Sequence, residues 1–366
     1  MNAKQTVKEY LALADIRING SRPWDIQVRN PKFYTRVLAG GSIALGESYM
    51  DGWWDCKALD QFFYRILKSK LDEKVKDWKQ IFNVLKAKIL NLQSRARAYE
   101  VGKRHYDIGN DLYKYMLDKR MVYSCGYWKT AKTLDKAQEA KLDLICKKLG
   151  LKKGMKILDI GCGWGSLAKW AAEKYKVKVV GVTVSKEQAK LARKICKGLP
   201  VEIRLQDYRK LNEKFDRIVS VGMFEHVGYK NYRTYMKVVN RCLKSNGLFL
   251  LHTIGRDTSS TTVDPWISKY IFPNSMLPSA EQITKASEGI FVLEDWHSFG
   301  PDYNKTLMAW HNNFVKNWNK LNYDKRFYRM WKYYLLACAG CFRARSTQLW
   351  QVVFSKNEVK GYKSMR

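Results

Sequence analysis

Long apolar runs are missing from this chain of 366 residues: its most apolar stretches, such as 247–251 and 333–337, fall far short of the roughly 18 residues that a membrane-crossing helix needs. Residues 1–20 mix acidic, basic and apolar side chains. They lack the basic start, apolar stretch and small-residue cleavage site of a secretory signal, so a cytosolic protein is expected. A cysteine framework is also absent. Eight cysteines are scattered from Cys56 to Cys341, the usage of a reducing compartment, and only Cys338 and Cys341 form a C-x-x-C. Without a second pair or a nearby histidine, that spacing falls short of the roughly four ligands of a zinc site. No metal is expected, and the pair reads as two small residues on a helix face.

Acidic residues are the other scarcity. The chain has 67 Lys and Arg against 34 Asp and Glu, a net charge of +33 that attracts polyanions, whether an anionic membrane or nucleic acid. Residues 65–105 alone hold twelve basic and four acidic residues. Within them Trp78, Ile81, Phe82, Leu85, Ile89 and Leu92 recur at helical spacing opposite Lys79, Lys86 and Lys88. Such a basic amphipathic helix docks either on its own domain, as most do, or on a membrane surface.

What is present divides the chain. Residues 1–65 read as a small amino-terminal domain, because the turn-rich GGSIALGESYMDGWW breaks any long periodicity. Residues 66–105 form the basic amphipathic linker, and 106–366 carry the rest. From about residue 133 strands alternate with helices. Thr133 caps a helix bearing Leu142, Ile145 and Leu149, and KILDI, VKVVGV, VEIRL, DRIVSV and LFLLHTI follow as short apolar runs. Five strands with helical crossovers predict an α/β doubly wound sheet, completed by FVLEDW (291–296) and LWQVVF (349–354). The aromatic-rich stretches 256–290 and 300–345 are expected to cover the substrate.

The first strand ends in Asp159-Ile-Gly161-Cys-Gly163-Trp-Gly165 and runs directly into a helix. Glycines at such a turn let backbone approach a ligand where helix N-terminal amides point outward. A dinucleotide fingerprint needs G-x-G-x-x-G, and residue 166 is Ser. An acidic residue two before the first glycine instead matches the first motif of Rossmann-like class I methyltransferases, in which a carboxylate orients the cationic end of S-adenosylmethionine. Thr183, Gln188, Gln206 and Asp207 follow at the carboxyl ends of the next strands, where open parallel sheets bind ligands. Ser185 with Gln188 also reads as a capping box, and Asp207 as either an adenine contact or a solvated turn carboxylate. Glu225, beyond the fourth strand, and His252, near the end of the fifth, bring a carboxylate and an imidazole to the same edge.

The segments RHYDIGNDLYKYMLDKRMVYSCGYW, LDIGCGWGSLAKWA, SVGMFEHVGYKNY, LLHTIG, VDPWISKYIFPN, FGPDYNKTLMAW and ACAGCFRARSTQLWQVVFS resemble the bacterial cyclopropane-fatty-acyl-phospholipid synthases, from about residue 20 to 355. The resemblance implies that Tyr123, Ser124, Asp159, Gly161, Gly163, Thr183, Gln188, Gln206 and Asp207 hold S-adenosylmethionine. It implies a bicarbonate ion held by Cys125, Glu225, His252, Ile254 and Tyr303, with Cys125 and Ile254 offering backbone amides. Cys338 lies in the family's ACAG segment and enters as a candidate active-site cysteine, although the chemistry needs no thiol nucleophile. Cys341 departs from the small apolar residue of the family pattern. The implied substrate is an unsaturated acyl chain within a phospholipid, reached by a cytoplasmic protein peripherally associated with the inner face of an anionic membrane. The amino-terminal domain would bind lipid or mediate dimerisation, so a homodimer is left open.

In that chemistry a methyl group passes to an alkene, and loss of a proton from the resulting cation closes the ring, with bicarbonate as the base. The main rival is a nucleic-acid methyltransferase. Neither a D/N-P-P-Y/F loop nor a Pro-Cys loop follows the fourth strand, so no nucleic acid is expected. A basic binding protein with a degenerate cofactor site is undercut by the intact glycine turn.

Overall fold

The computed structural model describes residues 2–71, 109–356 and 361–366. The expected amphipathic helix between Trp78 and Leu92 lies outside the described residues. Two compact units emerge. One gathers residues 2–71, Thr262–Pro273 and Tyr303–Thr347; the other gathers 109–261, Asn274–Asp302 and the carboxyl-terminal stretch from Gln348. This division differs from the expected boundaries in joining 262–273 and 303–347, parts of the expected substrate cover, to the amino-terminal segment.

The first unit is mainly helical. Strands β1 (Ile26–Val28) and β2 (Trp54–Cys56) pair antiparallel, and helices Ala3–Leu13, Phe33–Met50 and Leu59–Lys68 surround them. Helix Lys325–Arg343 completes the unit, because its small residues admit a close neighbour: a Cβ at Gly340 would stand 2.8 Å from the Asp60 carbonyl oxygen. Arg343 pairs with Asp60, and Arg329 reaches Asp55 at 2.8 Å while lying over the Tyr49 ring. Trp266 fills the space that glycine leaves at position 46 and packs on Tyr333.

The second unit is the predicted sheet. Strands β3 (Lys156–Ile160), β4 (Lys178–Thr183), β5 (Val201–Leu205), β6 (Phe215–Val221), β7 (Leu243–Gly255), β8 (Val292–Ser298) and β9 (Gln348–Ser355) lie in the order β5-β4-β3-β6-β7-β9-β8. The first five are parallel, and β9 runs antiparallel to both β7 and β8. Both predicted extra strands are present. The chain order reverses beside β3, which opens a crevice at the carboxyl ends of β3 and β6.

Side chains alternate between two buried layers. Leu158, Val180, Ile218, Phe249, Leu251 and Phe354 belong to one; Ile157, Val179, Val219, Leu248, Leu250 and Val353 belong to the other, with Leu142 and Ile145 of helix Leu134–Lys148. Each such side chain contributes about 1.5–3 kcal/mol when fully buried. Alternation puts Asp159, His252 and Gln351 on the second layer's face, polar residues interrupting an apolar pattern. Thr133 caps the helix as expected, its hydroxyl accepting from the Lys136 amide at 3.3 Å.

Lys148, at the end of that helix, lies 3.0 Å from Asp295 of β8, and both side chains are buried. Burial alone would raise the Asp295 carboxyl; bonds from Arg366, Ser364 and Lys148 instead hold it well below the usual range. Asp295→Ala would leave the Lys148 charge unpaired inside the protein, and a loss of about 3–5 kcal/mol is expected. Denaturant unfolding measures it. Because the folded carboxyl is depressed, its contribution is present above pH 4 and fades as the pH falls further, a dependence that the Asp295→Ala variant should lack.

Candidate active site

Five strand ends supply the site. After β3 the chain turns at Gly161 (φ +83°) and Gly163 (φ +54°) into helix Ser166–Tyr175. A Cβ at Gly161 would stand 2.7 Å from the Met223 side chain, so the turn requires glycine there for packing as well as for backbone conformation. At Gly163 no protein atom lies within 4 Å of the same point, and only the backbone demands glycine. The Gly161 and Cys162 amides donate to the Val182 carbonyl, binding the turn to β4. Trp164 donates to Asn110 at 3.2 Å and packs on Tyr113, which in turn touches Tyr123; residues 110–126 are thereby laid against the turn.

Asp159 is 2% exposed, and no side chain hydrogen bonds to its carboxylate among the described residues. Burial pushes its carboxyl up to about 7, partly opposed by the charge of Lys141. An acid held so far from its ordinary range, with no cation bonded to it, fits a cationic ligand. The amino group of S-adenosylmethionine is such a cation, so the residues present fit that cofactor.

Thr183 donates to the Gln188 side-chain oxygen at 2.9 Å, and Ser185 accepts from the Gln188 amide. The predicted capping box therefore forms in one direction only, because the Gln188 carboxamide is drawn to Thr183. The Gln206 amide donates to the Thr183 carbonyl, so these strand ends are tied together. Asp207 is buried and clasped by the Arg209 guanidinium; it is neither solvated nor unengaged.

Beyond β6, Glu225 sits on a short turn, Phe224–His226, and its Oε1 accepts from the Ile254 amide at 2.8 Å. Its Oε2 is buried without a hydrogen-bond partner among the described residues. Burial pushes this carboxyl up to about 7 against the bonds from Ile254 and Thr253. His252, 1% exposed on β7, stands opposite Gln351 of β9, whose amide nitrogen lies 3.2 Å from its Nδ1. With that nitrogen donating to Nδ1, the proton resides on Nε2, which is likewise buried and without a partner among the described residues. Burial, aided by Lys141 and Lys148, holds the imidazole neutral, well below its ordinary range. A carboxyl that keeps part of its protonated form at neutral pH and an imidazole N–H can both donate to a small oxyanion. Cys125 is fully buried, its thiol donating to the Gly126 carbonyl. Tyr303 and Cys338 belong to the first unit. Tyr303 stacks on Phe342 at 4.5 Å, and burial raises the Cys338 thiol well above its ordinary range, with Cys341 adding to the effect, so it is no thiolate at neutral pH.

Sequence reasoning missed Gln138 and Lys141, on the buried face of helix Leu134–Lys148, and Gln351. The signal was available: Lys141 falls at i+3 and i+4 spacing within the apolar stripe of Ala137, Leu144 and Ile145.

The family model described as mycolic acid cyclopropane synthetase matches residues 93–352. Over 368 residues the chain is 57% identical to the cyclopropane-fatty-acyl-phospholipid synthase of Escherichia coli (strain K12), covering 100% of this chain and 96% of that protein. It is similar to the solved structure of the cyclopropane synthase MmaA2 from Mycobacterium tuberculosis, at 32% identity and a TM-score of 0.67, over 70% of this chain and 98% of that one. The mycolic acid cyclopropane synthase CmaA1, solved with SAH and CTAB, matches at 32% identity and a TM-score of 0.66, over 70% of this chain and 98% of that one.

Asp159→Asn should leave a folded protein, since it removes a buried acid with no bonded partner. S-adenosylmethionine affinity should fall by about 1.5–3 kcal/mol, the worth of a hydrogen bond to a charged group. Calorimetric titration checks this, and unchanged affinity in the folded variant would remove the residue from the site. Because the carboxyl titrates near 7 and binds a cation only when ionised, wild-type affinity should strengthen as the pH rises through 7.

Proposed function

The chain belongs to the mycolic acid cyclopropane synthetase family, and we propose that it builds cyclopropane rings at the cis double bond of unsaturated acyl chains within phospholipids, working at an anionic membrane surface. It is an S-adenosylmethionine-dependent methyltransferase with cyclopropane fatty acid synthase activity. The phospholipid substrate is supported by the full-length likeness to the Escherichia coli protein. The observation that carries the mechanism is the set of polar groups at one sheet edge: Asp159, Glu225 and His252 are all buried, and among the described residues Glu225 Oε2 and His252 Nε2 have no hydrogen-bond partner.

S-adenosylmethionine supplies an electrophilic methyl group. Asp159 would hold its amino group, with Tyr123, Ser124, Gly161, Gly163, Thr183, Gln188, Gln206 and Asp207 as the remaining proposed contacts. Alignment of methyl and alkene must provide much of the rate, since an alkene is a weak nucleophile. Bicarbonate would supply a proton acceptor for ring closure. Glu225, whose carboxyl retains a proton near neutral pH, would share it with that anion, because two bare negative charges would repel. His252 would present its Nε2 proton, oriented by Gln351. Tyr303, carried by the other unit, and the Cys125 amide enter this proposal through resemblance. The Ile254 amide donates to Glu225 and so acts on the pocket through that carboxyl. Apolar acyl chain filling the cleft would exclude the water that otherwise captures the cation.

No helix among the described residues is long and apolar enough to cross a membrane. The charge of +33 supports peripheral contact with the inner, anionic face of the membrane from the cytoplasm, and the amino-terminal segment is proposed to serve lipid binding or dimerisation.

Incubation with unsaturated phospholipid vesicles and methyl-labelled S-adenosylmethionine, followed by fatty-acid analysis, tests the function; label in cyclopropane acyl chains is expected. Glu225→Gln, His252→Gln and Tyr303→Phe should lower turnover on the order of 100-fold or more with little change in cofactor affinity, because the damage falls on a later step. Full activity of all three in bicarbonate-depleted buffer would sink the anion-base mechanism. Loss of activity in step with melting temperature would assign Glu225 and His252 to tying strand ends together. Vesicle co-sedimentation should require anionic lipid and weaken with salt, since each basic residue near the surface contributes about 1 kcal/mol and is screened beyond a Debye length. Salt-insensitive binding to neutral lipid would point to apolar insertion.

A further inference from the structure

Lys141 takes no part in the mechanism above, yet it is among the most thoroughly buried cations in the chain, at 1% exposed. Its Nζ donates to the Ser124 hydroxyl oxygen at 2.7 Å. One turn away on the same helix face, Gln138 donates its amide to the Ser124 carbonyl at 2.7 Å and to the Val122 carbonyl at 3.4 Å. Residue 124 is thus gripped twice, by its backbone from Gln138 and by its hydroxyl from Lys141. Ser124 lies beside the turn that follows β6. A Cβ at Gly222 would lie 4.0 Å from that of Ser124, and the next residue, Met223, closes on Gly161.

The chemistry of this pair has a direction. An ammonium has donors only, so the Ser124 oxygen must accept, and its own hydrogen must point elsewhere. Among the described residues nothing else bonds to the Ser124 hydroxyl. We infer that Lys141 is a positioning residue that makes Ser124 an obligate hydrogen-bond donor into the crevice, selecting the carboxylate of the cofactor's methionyl end. Asp159 then takes the amino group, and the two ends of the amino acid are told apart by one acceptor and one donor. The inference rests on the S-adenosylmethionine reading of the site.

Burial pushes Lys141 down to about 8, with Asp118, Cys125 and Asp159 acting against that shift; among the described residues His252 also feels its charge. Once neutral, the amine can accept, Ser124 can turn its hydrogen inward, and the donor to the ligand is lost. Affinity for a carboxylate-bearing ligand should therefore weaken above a pH of about 8, in addition to the strengthening through 7 that Asp159 imposes. Removing the Lys141 charge should also move the Asp159 limb upward, since that charge favours the ionised carboxylate.

The test measures binding of S-adenosylhomocysteine and of 5′-methylthioadenosine, which lacks the amino-acid end, to wild type, Lys141→Met, Ser124→Ala and the double variant. Lys141→Met should weaken S-adenosylhomocysteine on the order of ten-fold, leave 5′-methylthioadenosine unchanged, and cost little further once Ser124 is Ala. Equal losses for both ligands, or full additivity of the two substitutions, would overturn the inference and leave Lys141 a structural residue. Should Lys141→Met fail to fold, the pH series decides. A weakening near 8 in wild type that Ser124→Ala lacks supports the inference, and its absence from wild type overturns it; the ligand's own amine titrates higher and persists in both. Wild type that binds neither ligand would sink the cofactor reading itself, an outcome distinct from normal binding without coupling.

Discussion

Placing ionisable groups in the interior at the carboxyl edge of a parallel sheet costs their hydration, and that cost organises the second unit. Asp159, Glu225, His252 and Lys141 are all buried, and burial is the largest influence on each: the two acids are pushed up toward neutral pH, the two bases down. The acids and Lys141 meet close to pH 7 to 8, where a small change of environment switches a proton. A site built this way recognises a ligand by restoring what burial removed. In the proposed reading a cation would complete Asp159, and an oxyanion would complete Glu225 and His252.

The sheet makes such an arrangement affordable. Apolar side chains from β3, β6, β7 and β9 fill both layers, so a few polar residues near the strand ends are carried by a core that does not depend on them. Helix Leu134–Lys148 serves twice. Its apolar residues pack the second layer, while Gln138 and Lys141 hold Ser124 at the crevice and Lys148 meets Asp295 near the far edge. Burial of three polar side chains along one helix face is a cost that only specific partners offset.

Much of the second unit was readable because its signals are local. The strand runs, the Thr133 cap and the glycine turn each depend on neighbours in sequence, and each stands where expected. Position at strand ends likewise put Asp159, Glu225 and His252 at one edge. Partnership was not readable. Gln188 serves Thr183 rather than closing a reciprocal box, Asp207 is clasped by Arg209, and the Ile254 amide belongs to Glu225. Each choice is made between groups whose alternatives look alike in a linear chain.

Periodicity and glycine spacing by themselves determined the doubly wound sheet and the strand edge at which Asp159, Glu225 and His252 stand, because a pleated strand and a tight turn are decided within a few residues. Only the tertiary structure decided the charge states, since a carboxyl's pKa depends on how much water the surrounding chain removes. It also decided that Lys141, an ordinary helix residue by composition, is sealed against Ser124, and that residues 303–347 cluster with the amino-terminal segment. Those outcomes rest on contacts between segments far apart in sequence, which no local pattern encodes.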